Sequence, residues 1–216
     1  MKQKLIAELL GTAFLLAVVV GSGIMAESLA QGNSAVALLA NSLATGAGLF
    51  VLISTLSSLS GSHLNPIISL AEALLGRLDL KTLFGYWLAQ FSGAVFGILL
   101  THLMFDQDIF QISLKDRSGP HLWVSEVVAA FVLISVIILS RRKRAELVPV
   151  CVAVCVAAGC WFTPSSFFVN PALTVGRMFT NTFCGVAPVD VIPFVIAQVL
   201  GAVLAFLLLR KLDKVI

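Results

Sequence analysis

Five side chains stand out because they place donors, acceptors or charge inside an otherwise apolar chain. Asn65 and Asn170 are each followed by proline, Glu8 and Glu126 each open a long apolar run, and His63 lies two residues before the first of these asparagines. Asparagine is a favoured helix N-cap and proline fits the first helical position, so Asn65-Pro66 and Asn170-Pro171 each start a helix. The Asn amide carries two N–H donors, and the helix start adds the positive end of its dipole. Two such starts facing one another would donate to a passing water or hydroxyl while opposing cations and protons. The carbonyls of 61–64 and 166–169, unpaired ahead of each helix, would supply acceptors along the same line. A neutral solute is what such a lining suits.

Composition says which elements must position these residues. With 59% hydrophobic and 12% charged residues and a mean hydropathy of +1.03, the chain belongs with integral membrane proteins. Six apolar windows reach spanning length, at 4–25, 35–57, 82–104, 122–140, 147–164 and 190–210. Two further apolar segments, 65–76 and 170–180, begin at the Asn-Pro pairs. They are well short of the roughly twenty residues needed to cross a bilayer, so they go halfway. Paired half-length segments in corresponding positions are a pointer to a transport path. The expected fold class is an all-α membrane protein of six transmembrane helices plus two half-helices.

The chain is a duplication. Tyr86 to Gly97, YWLAQFSGAVFG, matches Phe194 to Ala205, FVIAQVLGAVLA, and Ala7-Glu8 matches Ser125-Glu126. Residues 1–216 then form one channel domain, with repeat one at about 1–105, a polar loop at about 105–120 and repeat two at about 121–216. Each half holds three spans, an odd number, so the repeats are inverted. Gly93 and Gly97, echoed by Gly201 and Ala205, have the small-xxx-small spacing that lets helix backbones approach closely.

Basic residues orient the chain. Lys2, Lys4, Arg77, Lys81, Arg141, Arg142, Lys143, Arg144, Arg210, Lys211 and Lys214 fall on one side, leaving Lys115, Arg117 and Arg177 for the other. By the positive-inside rule both termini are cytoplasmic, and Phe105 to Pro120 is an outer, solvated loop. Short termini and the lack of appended domains point to a bacterial inner membrane. The net charge of +3 reflects this topology and not a nucleic-acid partner, because the basic residues flank apolar spans. Met1 to Ala30 is too long in its apolar run, and carries Glu8, to be a cleaved signal peptide.

Cys151, Cys155, Cys160 and Cys184 form no CxxC pair and read as small core residues, with neither a disulfide framework nor a metal site. His102 and His121 lie near span ends and read as interfacial. No cofactor is implied, and no nucleophile with its base can be placed, so an enzyme is the poorest reading.

SGSHLNPIIS, FFVNPALTVGR, the two Glu-bearing span openings, and Ala89-Gln90 with Ala197-Gln198 together resemble the aquaporin superfamily of water, glycerol and metalloid channels. The resemblance covers nearly the whole chain. It implies six tilted helices and two half-helices around one pore per subunit, usually in a homotetramer. It also implies that Glu8 and Glu126 accept hydrogen bonds from the loops that carry the half-helices; read without it, buried acids would equally suit a proton relay. His63 is either a loop anchor at the cytoplasmic mouth or a pH gate.

Family members build a constriction from four positions, one of them an Arg directly after the second Asn-Pro-Ala. That position is Leu173 here, and ungapped counting places the others at Thr45, Ala158 and Phe167. Losing the Arg removes a cation-repelling charge and several donors. In this the chain is similar to bacterial arsenic-resistance channels, which also carry an aliphatic residue there. Small neutral polyol-like solutes, glycerol or undissociated arsenous acid, are then the expected permeants, with water alongside. Arg177, about 6 Å beyond Leu173 on roughly the same helix face, either supplies a displaced charge at the outer vestibule or faces solvent and lipid headgroups. Ile67 stands where the first motif usually has Ala, and either narrows the cytoplasmic side or faces the bundle. A water-selective channel and an alternating-access secondary transporter are the rival readings.

Overall fold

Side-chain caps and first-turn prolines set where the helices begin. Asn33 Oδ1 accepts from the N–H groups of Ala35 and Val36, Asp79 from Thr82, Asn65 from Ile67, and Asn170 from Ala172 and Leu173. Pro66, Pro120, Pro171 and Pro188 are first helical residues, where a missing N–H costs nothing. The computed structural model describes residues 1–213, with side chains to Arg210; Lys214 and the Lys211 side chain, both in the basic set above, lie outside the described residues.

The helices are α1 (Lys2–Leu29), α2 (Ser34–Ser60), α3 (Pro66–Leu74), α4 (Leu80–Met104), α5 (Pro120–Lys143), α6 (Val148–Phe162), α7 (Pro171–Arg177) and α8 (Pro188–Asp213), with a 3-10 turn at Ala145–Leu147. Among the described residues, six helices are long and apolar enough to cross a membrane, α6 being counted with that turn. The half-helices end earlier than the sequence suggests. α3 stops at Leu74 and α7 at Arg177, each after two or three turns.

Packing repeats the duplication. α1 lies against α4 and α2, α5 against α8 and α6, and α2 against α6 across the two halves. Each half-helix also crosses over, α3 onto α8 and α7 onto α4. The α1–α4 and α5–α8 contacts are backbone on backbone. A Cβ at Gly93 would stand 2.3 Å from the Leu9 carbonyl oxygen, one at Gly97 2.4 Å from that of Ala13, and one at Gly201 2.2 Å from that of Val127. Only glycine allows that approach.

Half of the residues of the 105–120 loop are exposed, as expected of a solvated segment, but the loop is also fastened to the bundle. It folds back over the bundle: Ser113 N–H donates to the Met178 carbonyl, Ala187 N–H to that of Lys115, and Leu114 N–H to Asn181 Oδ1. His102, expected at the interface, is fully buried and pins this loop, with Nδ1 2.9 Å from the Ile109 carbonyl and Nε2 3.0 Å from Thr180 Oγ1. The main chain of the loop forms no helix or strand, so part of it pairs with the segment following α7. His121 is exposed in the first turn of α5.

Candidate functional site

The two chains that lead into the half-helices are extended and strained alike. Ser62 and Leu64 before α3, and Phe167 and Val169 before α7, all have positive φ, between 44° and 54°. Side chains with a Cβ rarely adopt that region, so something must hold them there. The holding groups are Glu8 and Glu126. Glu8 Oε1 accepts from Ser60 Oγ (2.7 Å) and His63 N (2.9 Å), and Oε2 from Leu64 N (2.7 Å) and Gln90 Nε2 (2.8 Å). Glu126 repeats this atom for atom: Oε1 accepts from Ser165 Oγ (2.6 Å) and Phe168 N (3.0 Å), Oε2 from Val169 N (2.9 Å) and Gln198 Nε2 (2.7 Å). Both carboxylates are fully buried, and four donors each compensate the lost water.

The half-helices meet N-terminus to N-terminus through their caps. Asn65 Nδ2 donates to the Val169 carbonyl and Asn170 Nδ2 to the Leu64 carbonyl, both at 2.8 Å. Each Oδ1 meanwhile caps its own helix. Capping and donation are therefore not alternatives. The amide oxygen caps, one N–H ties the repeats together, and the second N–H of each Asn remains beside a cavity that both residues line.

That cavity, about 360 Å³, follows the bundle between stripes of residues one turn apart. α2 contributes Leu38, Asn41, Thr45 and Leu49, α6 Val148, Val152, Val156 and Cys160, and α1 and α5 the equivalent pairs Leu15 and Val19, Leu133 and Ile137. Thr45, Phe167 and Leu173 all border it. Ala158 does not: it is exposed on the outside of the bundle, and this expectation is corrected. At about 100° per residue, Ala158 lies roughly 200° around α6 from both Val156 and Cys160, which face inward. Gly159 of α6 packs against the Phe167 ring, where a Cβ would come 2.3 Å from the ring carbons. The four-residue spacing from Val148 would have identified Cys160 as the lining residue; counting back from Asn170 could not.

His63 is buried and lines the cavity, with Nδ1 3.0 Å from Ser69 Oγ and its ring 5.2 Å from Tyr86 in an edge contact. Phe168 occupies the equivalent place in the second repeat, also 5.2 Å from its partner, Phe194. Ile67 is buried in the packing between α3, α5 and α8 and is not among the lining residues. Arg177 is buried, 7% exposed, and borders the cavity. Its Nε donates to the Cys184 carbonyl, and its guanidinium lies 3.4 Å from the centre of the Phe168 ring. Solvent or headgroup exposure is thereby ruled out for it. Cys184 is buried with its thiol donating to the Val19 carbonyl at 3.2 Å, and the four cysteines are unpaired.

Two charged features at the cavity ends were not anticipated. Arg117, from the loop expected to be solvated, borders the cavity with its guanidinium 5.1 Å from the same Phe168 ring. At the opposite mouth Arg141 pairs with the buried Glu72, which also meets Arg77 at 3.7 Å. Glu72 follows Asn65 by the interval at which Arg177 follows Asn170, so aligning the two half-helices would have revealed it.

The major intrinsic protein family model matches residues 1–166. Aquaglyceroporin AqpS of Rhizobium meliloti is 49% identical over 97% of this chain and 90% of its own length. Aquaporin NIP1-1 of Zea mays is 29% identical over 98% of this chain and 76% of its own. The X-ray structure of the aquaglyceroporin from Plasmodium falciparum has the same fold, with a TM-score of 0.79 at 19% identity, over 99% of this chain and 97% of that one. Paired half-helix caps, carboxylate-held loops and a through-bundle cavity therefore belong to a chain of the major intrinsic protein family, a multi-pass membrane channel of the aquaporin superfamily.

Proposed function

We propose that this channel conducts small neutral solutes passively, glycerol and undissociated metalloid hydroxides such as arsenous acid, with water as co-permeant. One observation carries the reading: Leu173, an aliphatic side chain, borders the cavity directly after the asparagine caps, while the nearest guanidinium on that helix stands one turn further along at Arg177. Thr45, Phe167 and Leu173 form the constriction, with Cys160 in the place first given to Ala158. Such a wall desolvates a solute without replacing many of its hydrogen bonds, which favours molecules carrying their own apolar faces. Asn65 and Asn170 donate at the midpoint, and Glu8, Glu126 and His63 hold the loops in register. Arg177 supplies the displaced positive charge at the outer vestibule.

Both termini face the cytoplasm across a bacterial inner membrane, the repeats form a single domain, and four copies assemble. Exposed apolar side chains on the spans, Leu43 and Leu88 among them, suit lipid and neighbouring subunits. Stopped-flow light scattering on proteoliposomes tests the reading, comparing water, glycerol and arsenous acid in the wild type and Leu173→Arg. Fast solute flux that is lost in the variant supports it. Water flux alone in both proteins reduces the proposal to a water channel.

A further inference from the structure

Two guanidiniums stand together at the outer vestibule, neither in direct contact with a carboxylate. Arg177 and Arg117 are anchored through Nε on successive peptide carbonyls, Cys184 and Gly185, and both guanidiniums lie against the Phe168 ring. With each Nε committed, the terminal nitrogens of both forks remain for another partner beside the cavity they line. Nearby acids are already engaged. Asp190 accepts from Arg117 N–H at 2.8 Å and from the Ser118 hydroxyl, and Glu126 is filled by four donors of the second loop. Glu27 meets Lys115 at 3.7 Å, and that lysine borders the same cavity. Among the described residues neither guanidinium forms a salt bridge.

A guanidinium as buried as Arg177 is costly without a counter-charge. Phe168 offsets part of that cost through its ring face, but a cation–π contact is worth far less than an ion pair. An anion from solution would give the two forks the direct partner that no carboxylate of the described residues supplies. Two planar forks at one ring match a planar, monovalent oxyanion small enough for the vestibule.

We propose that Arg117 and Arg177 form an anion subsite that takes a small carboxylate, and that its occupancy from outside obstructs solute passage. The obstruction rests on the channel reading above; the binding does not. Sequence places Arg117 on a loop unrelated to either Asn-Pro motif, and only the fold brings it to the ring that Arg177 also faces.

Two measurements separate the two ideas. The first is calorimetry of acetate binding to the protein in nanodiscs, with empty nanodiscs at matched ionic strength as the reference. Saturable acetate binding that weakens about tenfold or more in Arg117→Gln, and is only partly restored in Arg117→Lys, is expected from losing a charge-assisted forked contact. Equal binding, or none, in wild type and Arg117→Gln overturns the subsite. The second is glycerol uptake into proteoliposomes with external acetate. Saturable slowing in the wild type, absent in Arg117→Gln, supports the obstruction, and uptake indifferent to acetate overturns it. If no protein conducts glycerol while acetate still binds, the solute reading has failed and the subsite stands.

Discussion

Replacing Glu126 by Gln removes one charge and turns one acceptor into a donor. In the native site, Oε1 faces Ser165 Oγ and Phe168 N–H, and Oε2 faces Val169 N–H and Gln198 Nε2. On either side the new NH2 group meets one partner that can turn to accept, the Ser165 hydroxyl or the Gln198 amide, and one backbone N–H that cannot, that of Phe168 or Val169. One of these N–H groups is then left buried without a partner, a cost of about 1–3 kcal/mol. The two bonds to the remaining carbonyl oxygen survive as neutral ones, each weaker by about 1 kcal/mol. The total, about 3–5 kcal/mol, should lower the Tm of the purified protein by about 6–20 °C at about 2–4 °C per kcal/mol for a chain of this size. Thermal unfolding of the detergent-solubilised protein, followed by tryptophan fluorescence, measures it. Glu8→Gln should give a comparable drop because its four donors are equivalent. A Tm within about 2 °C of wild type for both variants would refute the reasoning, since it would mean that neither site depends on an ionised carboxylate holding the loop.

Gly159→Ala places a methyl group where the Phe167 ring now packs, so the ring must move toward the cavity. Glycerol flux in proteoliposomes should fall several-fold with water flux less affected; unchanged glycerol flux would show that Phe167 does not border the constriction. Asp79 caps α4 through Thr82 N–H (2.9 Å) and Thr82 Oγ1 (2.6 Å), and these bonds hold its carboxyl below the usual carboxylate range. A lowered folded-state pKa contributes stability above the unfolded value, and the contribution is lost as pH falls through the folded one. Hydrogen exchange at the first-turn amides of α4 should therefore stay protected through mild acid, lose protection below the ordinary Asp range, and show no such transition in Asp79→Ala.

The architecture was readable from the sequence because each element carries its own signal. Spanning length, Asn-Pro starts and the echo of YWLAQFSGAVFG in FVIAQVLGAVLA are local features, and local features survive folding. Boundaries moved by only a few residues, chiefly where α3 and α7 end early. The site was less legible. Leu173 could be reached by counting within its own helix and Thr45 across only the short stretch 61–65, whereas Ala158 lies beyond the longer irregular stretch 163–170, in which ungapped counting loses the helix phase. Arg117 and His102 escaped for another reason. Their partners, Gly185 and Thr180, are nearly seventy residues or more away in sequence, and nothing in a polar loop announces that it will fold inward.

The bond between each asparagine and the loop of the opposite repeat also bears on how the protein is made. Asn65 finds its acceptor at Val169, 104 residues later, and Leu64 waits as long for Asn170. At translation speeds of about 5–20 residues per second, that interval is about 5–20 s. Throughout it, the first re-entrant segment has its Glu8 clasp but lacks its counterpart across the midplane. The nascent channel thus passes through a stage in which half a pore sits in the membrane with an unmatched carbonyl and amide, sheltered only by the translocation machinery or by neighbouring spans.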